Sequence, residues 1–344
     1  MTKKFDVAVL GATGAVGEAM LSILAERRFP VGRVYALASS RSAGTAVTFA
    51  DSELSVEDVA DFDFTQVQIG LFSPGAAVSA VYAPKAAAAG CVVIDNTSQF
   101  RYDDDIPLVV PEVNPHVIGE YRNRGIIANP NCSTIQLVVA LKPIYDAVGI
   151  ERINVCSYQS VSGTGKEAIE ELSSQTVALL NGRPIEPSVY PVQIAFNVLP
   201  HIDEFQTNGY TKEEMKMVWE TRKILGDDTI QINPTAVRVP VFYGHSEAVH
   251  IETREKIAVD RLRELLAGAP GVKLVDEHRG GGYPTAVTHS AGQDGVFIGR
   301  IREDISHPRG VDLWVVSDNV RKGAALNSIQ IAEHLVKDYF INYS

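Results

Sequence analysis

A glycine-rich loop near the start of the chain constrains the fold more than any other feature. Gly11 and Gly14 follow an apolar run, Val7–Leu10, which predicts a buried strand. Gly17 lies in the first turn of Ala15–Glu26, which predicts a helix. Glycines in such a turn allow tight backbone geometry, close approach of a pyrophosphate and close packing of the helix on the strand. Amides at the helix start also favour phosphate. The GxxGxxG spacing is weak evidence alone, but its place after the first strand predicts a dinucleotide site.

The first 150 residues alternate short apolar runs with helical stretches, which predicts a parallel sheet covered by helices on both faces. Pro84 is expected to kink the second helix or to end it early. The predicted strands are Val7–Leu10, Val34–Ala38, Val67–Phe72, Cys91–Ile94 and Ile126–Ala128. The predicted helices are Ala15–Glu26, Ala76–Ala89 and Ser133–Ala147.

The pattern changes after Gly149 and predicts a mixed or antiparallel sheet. Ala236–Phe242 and Glu247–Thr253 are expected to be neighbouring strands of that sheet. The other predicted strands are Ile153–Gln159, Val296–Ile301 and Val311–Val316, and the predicted helices are Lys166–Leu180, Thr211–Leu225 and Val259–Leu266. Gly182–Gln193, with three prolines, predicts a long loop.

The expected fold class is therefore α/β in two domains. Residues 1–131 are expected to form a Rossmann-type dinucleotide-binding domain, and residues 132–319 an α+β domain with a mixed sheet. The last predicted helix, Ala324–Tyr339, follows a strand, so residues 320–344 are expected to pack back onto the first domain.

The charge balance limits the partners of the chain. Its 344 residues include 31 Lys and Arg against 42 Asp and Glu, a formal net charge of −11. This balance argues against an extended nucleic-acid surface and against attraction to anionic lipid. An anionic ligand must therefore be bound by a few local cations against a repulsive background.

The cysteines and the apolar segments indicate a cytoplasmic protein. Cys91, Cys132 and Cys156 are odd in number and form no CxxC pair, so neither a disulfide framework nor a cysteine zinc site fits. The lysines before Val7–Leu10 imitate a secretory signal, but an aspartate interrupts it. Ala76–Ile94 contains a lysine, a proline and a glycine, so it does not predict a membrane span.

The residues after the second predicted strand favour NADP over NAD. NAD-binding loops usually place an acid there to accept hydrogen bonds from the ribose 2′-hydroxyl, but here residues 38–50 contain no acid. Arg41 can instead pair with a 2′-phosphate, with help from Ser39, Ser40 or Ser42. A solvated surface loop is the alternative interpretation.

Cys132 lies where the first predicted domain ends and a helix begins. Unpaired amides and the helix dipole at such a position stabilise a thiolate, which is the nucleophilic form of cysteine. Most buried cysteines are inert, and that interpretation suits Cys91 and Cys156, which lie in strand-like runs. A thiolate beside a nicotinamide predicts aldehyde oxidation through a thioester, or the reverse reduction of an acyl phosphate.

Several motifs in register along the whole chain resemble those of the aspartate-semialdehyde dehydrogenase family. They are Gly11–Gly17, Pro130–Thr134, Tyr158–Gly163, Glu213–Lys216, Arg238–Pro240, Gly244–Glu247 and Trp314–Asn319. The resemblance implies NADPH-dependent reduction of L-4-aspartyl phosphate to aspartate 4-semialdehyde and phosphate, on the route to lysine, methionine and threonine. It also implies a homodimer, with dimerisation and catalysis in the second domain.

The resemblance further implies roles for individual residues. Cys132 would be the acyl-enzyme nucleophile, His245 the general acid and base, and Gln159 the residue that orients the acyl group or the substrate. Arg238 would bind the substrate carboxylate and Glu213 its amine, while Arg101, Lys216 and Asn131 would bind phosphate. The cofactor would contact Gly11, Thr13, Gly14, Ala15, Val16, Ser39, Arg41, Ser42, Ser162, Gly163 and Asn319.

The residues themselves support these roles to different degrees. His245 follows a glycine between two strand-like runs, and an ordinary pKa near 6.5 suits proton transfer. His245 and His250 are five apart, which places them on opposite faces of a strand and disfavours a metal site. Glu213 and Lys216 share a helix face, but such pairs are more often surface ion pairs. An exposed arginine is likewise the commoner interpretation of Arg101.

Three other functions remain open at this point. One is a related acyl-phosphate reductase, such as an N-acetylglutamyl-phosphate reductase, whose acylated substrate amine would not need Glu213. Another is a non-phosphorylating aldehyde dehydrogenase, in which water takes the acyl group. The third, from a different class, is a NADP-binding regulatory protein without turnover, which would have no use for a low-pKa thiol.

Overall fold

The computed structural model describes residues 3 to 340, and these divide into two compact units. Unit 1 comprises Met1–Asn131 and Ala324–Ser344, as far as they are described, and unit 2 comprises Cys132–Gly323. Within residues 3 to 340, no helix has the length and apolar character needed to cross a membrane.

Unit 1 contains a seven-stranded sheet. Its strands are β1 (Phe5–Leu10), β2 (Val31–Ala38), β3 (Ala46–Phe49), β4 (Ser52–Asp58), β5 (Ile69–Phe72), β6 (Val92–Asp95) and β7 (Ile126–Ala128). They lie in the order β3-β4-β2-β1-β5-β6-β7. All neighbours are parallel except the β3–β4 pair, which is antiparallel. The predicted doubly wound sheet is therefore confirmed, with a hairpin added at one edge.

The helices α1 (Ala15–Glu26) and α2 (Ala76–Ala88) each follow a strand of this sheet. The expectation that Pro84 would end α2 early is wrong, because the helix continues four residues beyond it. Ala83 and Ala86 on either side of the proline are fully buried. Packing of this face stabilises the helix despite the one backbone hydrogen bond that proline cannot donate.

Unit 2 contains a six-stranded sheet. Its strands are β8 (Ile150–Gln159), β9 (Gln231–Arg238), β10 (His245–Thr253), β11 (Val272–Leu274), β12 (Val296–Glu303) and β13 (Gly310–Ser317). Their order is β11-β12-β13-β10-β8-β9. Because β10 is antiparallel to β8 and β13 while β8 and β9 are parallel, the predicted mixed sheet is confirmed.

The sequence prediction for β9 is wrong in two respects. The strand begins at Gln231 and ends at Arg238, whereas the prediction placed it at Ala236–Phe242. Pro240 has no amide proton for a sheet ladder, which is consistent with the earlier end. In addition β9 does not neighbour β10, because β8 lies between them and pairs with both.

The helices of unit 2 are α3 (Cys132–Val148), α4 (Lys166–Leu180), α5 (Lys212–Leu225) and α6 (Val259–Ala267). α3 contacts β8, β10, β12 and β13. Its first residue, Cys132, lies against His245, the first residue of β10. α5 starts with a capping box, in which Thr211 and Glu214 satisfy each other's backbone amides. This cap sets the position of the next residues, including Glu213.

The last helix, α7 (Leu326–His334), belongs to unit 1. π-helical turns precede and follow it, at Arg321–Ala325 and Leu335–Phe340. Leu326 and Ile329 are fully buried in the same core cluster as Val7 and Val9 of β1. The chain therefore returns to the unit in which it began.

Candidate active site

The glycine loop after β1 has the geometry of a phosphate cradle. Gly11 has a φ of +87°, and a Cβ on Gly17 would lie 2.2 Å from the Gly11 carbonyl oxygen, so α1 can pack this closely only on glycine. Gly14 occupies the N-cap and provides no side-chain cap, so Ala15 and Val16 begin the helix with amides available to a ligand. Thr13 lies in the same loop. These residues fit the diphosphate of a dinucleotide.

The loop after β2 lies beside this cradle. The Gly11 amide donates to the Leu37 carbonyl at 2.9 Å, which ties the glycine loop to the end of β2. Ser39 and Arg41 follow this end and are exposed, and Ser42 is half-buried. The arrangement fits a ribose with a 2′-phosphate, the group that distinguishes NADP from NAD.

Two of the predicted phosphate-binding residues also lie in unit 1. Arg101 is only 6% exposed, so the alternative of an ordinary surface arginine is wrong. Its Nη2 donates to the Asn96 carbonyl at 2.8 Å, in the turn that follows β6. Asn131, which precedes α3 in the chain, is also buried.

Cys132 and His245 face each other in unit 2. Cys132 is the first residue of α3 and His245 the first residue of β10. Sγ of Cys132 lies 3.2 Å from Nε2 of His245, and the His245 ring is fully buried. A thiol and an imidazole at hydrogen-bonding distance have the geometry that a nucleophile and its proton carrier require.

The hydrogen bond on the other ring nitrogen determines where the His245 proton lies. The Ser160 amide donates to Nδ1 at 3.1 Å, so Nδ1 is an acceptor and a neutral ring carries its proton on Nε2. Burial, followed by the positive charge of Arg238, lowers the pKa of His245 to about 3. The expectation of an ordinary pKa near 6.5 is therefore wrong, and at neutral pH the ring presents Nε2–H to the sulfur.

A buried set of charged groups surrounds this pair. Arg238 is 5% exposed, and its Nη1 donates to the Ser160 carbonyl at 2.7 Å. Nε2 of Gln159 donates to Glu213 Oε1 at 3.1 Å, and Nζ of Lys216 donates to Glu213 Oε2 at 3.0 Å. An arginine, a carboxylate and an amide side chain thus lie together, as recognition of an amino-acid substrate requires.

Lys216 has a second carboxylate partner that the sequence did not indicate. Its Nζ donates to Asp203 Oδ2 at 2.7 Å. Burial disfavours the charged amine, but Glu213 and Asp203 overcome that cost and raise the pKa of Lys216. Lys216 therefore remains a cation at physiological pH, held between two carboxylates.

The predicted cofactor contacts of unit 2 lie beside His245. Ser162 and Gly163 form a short 3-10 turn after β8, and Asn319 follows β13. Nδ2 of Asn319 donates to Ser162 Oγ at 2.9 Å. A Cβ on Gly163 would lie 3.3 Å from His245 Cε1 and 3.1 Å from Arg238 Nη1. Any larger residue at position 163 would therefore crowd both side chains.

Sequence reasoning missed four residues that shape the site. Ser160 lies within a motif that was noticed, but only its fold-dependent contact with Nδ1 shows its role. Glu247 is two residues after His245, and strand alternation could have placed it on the same buried face. Asp203 and Gly323 carry no local signal, because their partners Lys216 and Cys132 are distant in sequence.

Replacing Gly323 should lower activity, although the new side chain would contact Cys132 rather than the substrate. A Cβ at this position would lie 2.8 Å from Cys132 Cβ, so Gly323→Ala should displace the thiol. A misplacement of this kind costs on the order of 10²-fold in kcat. Steady-state kinetics tests this, with Gly268→Ala as the matched control because its nearest neighbour would lie at 3.7 Å. Equal rates for wild type and Gly323→Ala would contradict the packing described.

The burial of Glu247 should make the stability of the folded protein depend on pH. Glu247 is fully buried, and burial raises its pKa well above the usual value despite the opposing effect of the Gln136 side chain. The folded protein therefore binds this proton more tightly than the unfolded chain does. As pH rises above the ordinary carboxyl range, Glu247 ionises first in the unfolded chain, and the free energy of unfolding of wild type decreases. Glu247→Gln cannot ionise, so its free energy of unfolding lacks this dependence. Between the ordinary carboxyl pKa and the raised pKa of folded Glu247, we expect the free energy of unfolding of the variant, relative to wild type, to increase by about 1.4 kcal/mol per pH unit.

Urea unfolding of wild type and Glu247→Gln at several pH values between 5 and 8 measures this difference. Glu255→Gln, at an exposed carboxyl, is the matched control and should show no such trend. A difference between wild type and Glu247→Gln that does not change with pH would show that Glu247 is ionised in the folded protein.

His250, considered together with His245 as a metal ligand from the sequence, has other partners. His250 Nε2 is 2.8 Å from Asp304 Oδ2, and its Nδ1 is 3.2 Å from Asn154 Nδ2. Among residues 3 to 340, no group of three or more His, Cys, Asp or Glu side chains has an arrangement that could hold a metal ion.

Comparison with known families matches both halves of the chain. The family model described as "Semialdehyde dehydrogenase, NAD binding domain" matches residues 6–121. The model described as "Semialdehyde dehydrogenase, dimerisation domain" matches residues 141–322. Together these matches span most of the chain.

Individual relatives agree with the family models. The aspartate-semialdehyde dehydrogenase of Shewanella violacea is 64% identical over 340 residues, which cover 99% of this chain and 100% of the relative. The solved aspartate semialdehyde dehydrogenase II of Vibrio cholerae, complexed with ASA, has a TM-score of 0.97 and 60% identity, covering 98% of this chain and 100% of that one.

A more distant solved structure also covers nearly the whole chain. The aspartate semialdehyde dehydrogenase of Candida albicans, solved with NADP, has a TM-score of 0.76 and 26% identity, covering 97% of this chain and 98% of that one. The family models, the full-length identity and the shared fold lead to one conclusion: the chain belongs to the aspartate-semialdehyde dehydrogenase family.

Proposed function

We propose that this protein catalyses the NADPH-dependent reductive dephosphorylation of L-4-aspartyl phosphate to L-aspartate 4-semialdehyde and phosphate, in lysine, methionine and threonine biosynthesis. The observation that carries the proposal is the 3.2 Å contact between Cys132 Sγ and His245 Nε2 at the start of α3. Family membership supports the substrate, and the buried Arg238 and Glu213 supply the charges that an amino-acid substrate needs.

Cys132 performs the first chemical step. Its thiolate, stabilised by the helix start and by the Nε2–H of His245, attacks the acyl carbon. A carbon–sulfur bond forms, the bond to the phosphate oxygen breaks, and the aspartyl group becomes a thioester on Cys132. NADPH, when bound, supplies the hydride that reduces this thioester.

His245 then acts on the substrate oxygen. Once the sulfur is bonded to carbon, Nε2–H is free to donate to the oxygen that gains charge in the tetrahedral thiohemiacetal. The same nitrogen takes the proton back when the carbon–sulfur bond breaks, which releases the semialdehyde and restores the thiolate. His245 is thus acid and base in turn, through one ring nitrogen.

The binding residues are assigned by the charges of the substrate. Arg238 suits the α-carboxylate and Glu213 the α-amine, while Gln159, hydrogen-bonded to Glu213, orients the acyl group. Arg101, Lys216 and Asn131 are proposed to bind phosphate. The residues 1–131 with 320–344 are proposed as the cofactor domain, and 132–319 as the catalytic and dimerisation domain.

NADP is the proposed cofactor. Support comes from Arg41 and the serines after β2, and from the absence of an acid in residues 38–50. The ratio of kcat/KM for NADPH to that for NADH tests it, and a ratio below one would overturn it.

Replacing Arg238 should weaken the binding of substrate but not of cofactor. Arg238→Lys keeps the charge but loses the planar fork that grips a carboxylate. Losing a charged hydrogen bond of about 1.5 to 3 kcal/mol should raise the KM for aspartate semialdehyde roughly 10- to 100-fold, with little change in the KM for NADP. Arg261→Lys, in a surface ion pair with Glu264, is the matched control. An unchanged KM in Arg238→Lys would refute the carboxylate role.

A homodimer is proposed through one face of the unit 2 sheet. On that face, alternate residues of the central strands remain half-exposed, among them Cys156, Tyr158, Ala248 and Trp314. The family model for this part of the chain is named for dimerisation, and a second copy is the occupant that this name supports. Light scattering should give twice the 37.3 kDa of one chain, and a monomer at micromolar concentration would overturn the proposal.

The activity itself is tested by NADPH formation from aspartate semialdehyde, with and without added phosphate. The proposal predicts a rate that depends on phosphate, whereas a non-phosphorylating dehydrogenase would ignore it. Reduction of aspartyl phosphate is then compared with that of N-acetylglutamyl phosphate. Turnover of the acetylated substrate alone would identify the related reductase, and no turnover of either would indicate a binding protein.

A further inference from the structure

The side chain of Asn319 connects three segments around His245. Asn319 is 4% exposed, and its Oδ1 accepts from the Gly244 amide at 2.9 Å and from the Ser160 hydroxyl at 3.0 Å. Its Nδ2 donates to Ser162 Oγ at 2.9 Å. One amide group thus holds the residue before His245 and the residue whose backbone caps the His245 ring.

The backbone amide of Ser160 determines the tautomer of His245. Ser160 Oγ also lies 3.1 Å from Nδ1 and 3.0 Å from Asn319 Oδ1, but a hydroxyl can donate or accept, so this contact does not fix the tautomer. The Ser160 amide does, since an N–H group can only donate and Nδ1 must then accept. A ring that accepts at Nδ1 keeps its proton on Nε2, which faces the Cys132 sulfur.

We propose that Asn319 is a positioning residue for His245: by holding Gly244 and Ser160 it fixes the Nε2–H tautomer and its aim at Cys132, in addition to the cofactor contact that family resemblance implies. The inference rests on the proposed function in taking Cys132 and His245 as the reacting pair. It goes further in assigning Asn319 a role that exists before any cofactor binds.

The neutral amide of Asn319 suits this role. The titratable and charged groups that face His245 are Arg238 from β9, Glu213 from α5 and the thiol of Cys132 from α3. Glu247, on the same strand as His245, is a fully buried carboxyl whose pKa is raised by burial. Asn319 adds no charge to this set, so its substitution by alanine changes the position and the tautomer of the ring without adding a charge.

The test uses cofactor-free protein, so that loss of cofactor binding cannot imitate the effect. The rate of iodoacetamide alkylation at Cys132 is measured from pH 5 to 10, with the modified peptide identified by mass spectrometry. In Asn319→Ala the Nε2–H donor is lost or misdirected, so the thiolate is less stable. We expect the reactivity midpoint to rise by about one pH unit, equivalent to about tenfold slower alkylation below the midpoint. Asn181→Ala, at an exposed helix end, is the matched control and should not shift it.

An unchanged midpoint in cofactor-free Asn319→Ala, together with a raised KM for NADPH, would overturn the proposal and leave Asn319 as a cofactor contact only. A wild-type midpoint at 8.5 or above, the ordinary range for a cysteine thiol, would instead contradict the thiolate of the proposed function. The two failures are therefore distinguishable.

Histidine ¹⁵N chemical shifts provide a second measurement, with His245→Gln to assign the signal. The wild type should show Nε2 protonated and Nδ1 unprotonated, and Asn319→Ala should show a mixture of tautomers. A wild-type ring protonated at Nδ1 would overturn the proposal whatever the variants do.

If Asn319→Ala does not unfold cooperatively, Ser160→Ala replaces it in the alkylation test, since this variant lacks the hydroxyl held by Asn319 but keeps the backbone amide. A midpoint identical to wild type would then overturn the proposal.

Discussion

Replacing Cys132 with alanine should reduce turnover by at least about 10⁴-fold, the scale of loss when an enzyme's nucleophile is removed. The expectation follows from the position of the sulfur at the start of α3, 3.2 Å from His245 Nε2. Without it no thioester can form, and neither hydride transfer nor phosphate release has a substrate. Steady-state NADPH formation from aspartate semialdehyde measures the loss.

Cys156→Ala is the matched control for this substitution. Burial raises the pKa of the Cys156 thiol, and its place in the middle of β8 keeps it away from His245. Its activity should remain near wild type. The affinity of Cys132→Ala for NADPH should also remain near wild type, and loss of cofactor binding in that variant would show that Cys132 is structural.

His245→Gln should lower kcat by about 10²- to 10⁴-fold, the usual contribution of a general acid and base. Glutamine is of similar size and can donate a hydrogen bond, but it cannot release and recover a proton. His307→Gln, in the turn between β12 and β13, is the matched control. A loss below tenfold in His245→Gln would contradict the acid and base role.

The low pKa of His245 predicts that its protonation does not limit activity between pH 5 and 7. Burial and Arg238 lower this pKa to about 3, so the ring is neutral throughout the range from pH 5 to 7. Protonation of His245 should therefore cause no fall in kcat/KM as pH decreases from 7 to 5. An ionisation near 6.5 that is present in wild type and absent in His245→Gln would contradict this assignment.

Local patterns predicted the elements that carry a strong periodic signal. α1, α4 and β7 have the predicted bounds, because a buried helix face or a buried strand produces a clear hydrophobic pattern. The β3–β4 hairpin was missed, because β3 has only four residues and β4 is mostly polar, and both strands are largely exposed. Neither strand produces a run of apolar residues that a sequence pattern could detect.

Long-range arrangement was harder to predict. β9 and β10 are close in sequence, yet β8 lies between them, because pairing is decided by the core of the whole sheet rather than by sequence order. The partners of Lys216 and the environment of His245 were likewise hidden. Both depend on residues brought together only by the fold, namely Asp203 for the lysine and Ser160 for the histidine.

The chemistry of the candidate site was predictable to the extent that it follows from residue type and position. A cysteine at a helix start after a dinucleotide-binding pattern already predicted a thioester mechanism. The tautomer of His245 and its lowered pKa were not predictable, since they depend on complete burial and on one backbone hydrogen bond.

The central claim is that the acyl group of the substrate is carried on the sulfur of Cys132. Mass spectrometry of the acid-quenched enzyme tests it most directly, after mixing with aspartate semialdehyde and NADP in the absence of phosphate. We expect one aspartyl group per chain, on the peptide that contains Cys132. It should disappear when phosphate is added and be absent in Cys132→Ala. An aspartyl group on another residue, or NADPH formed with no acylated enzyme at any time, would contradict it.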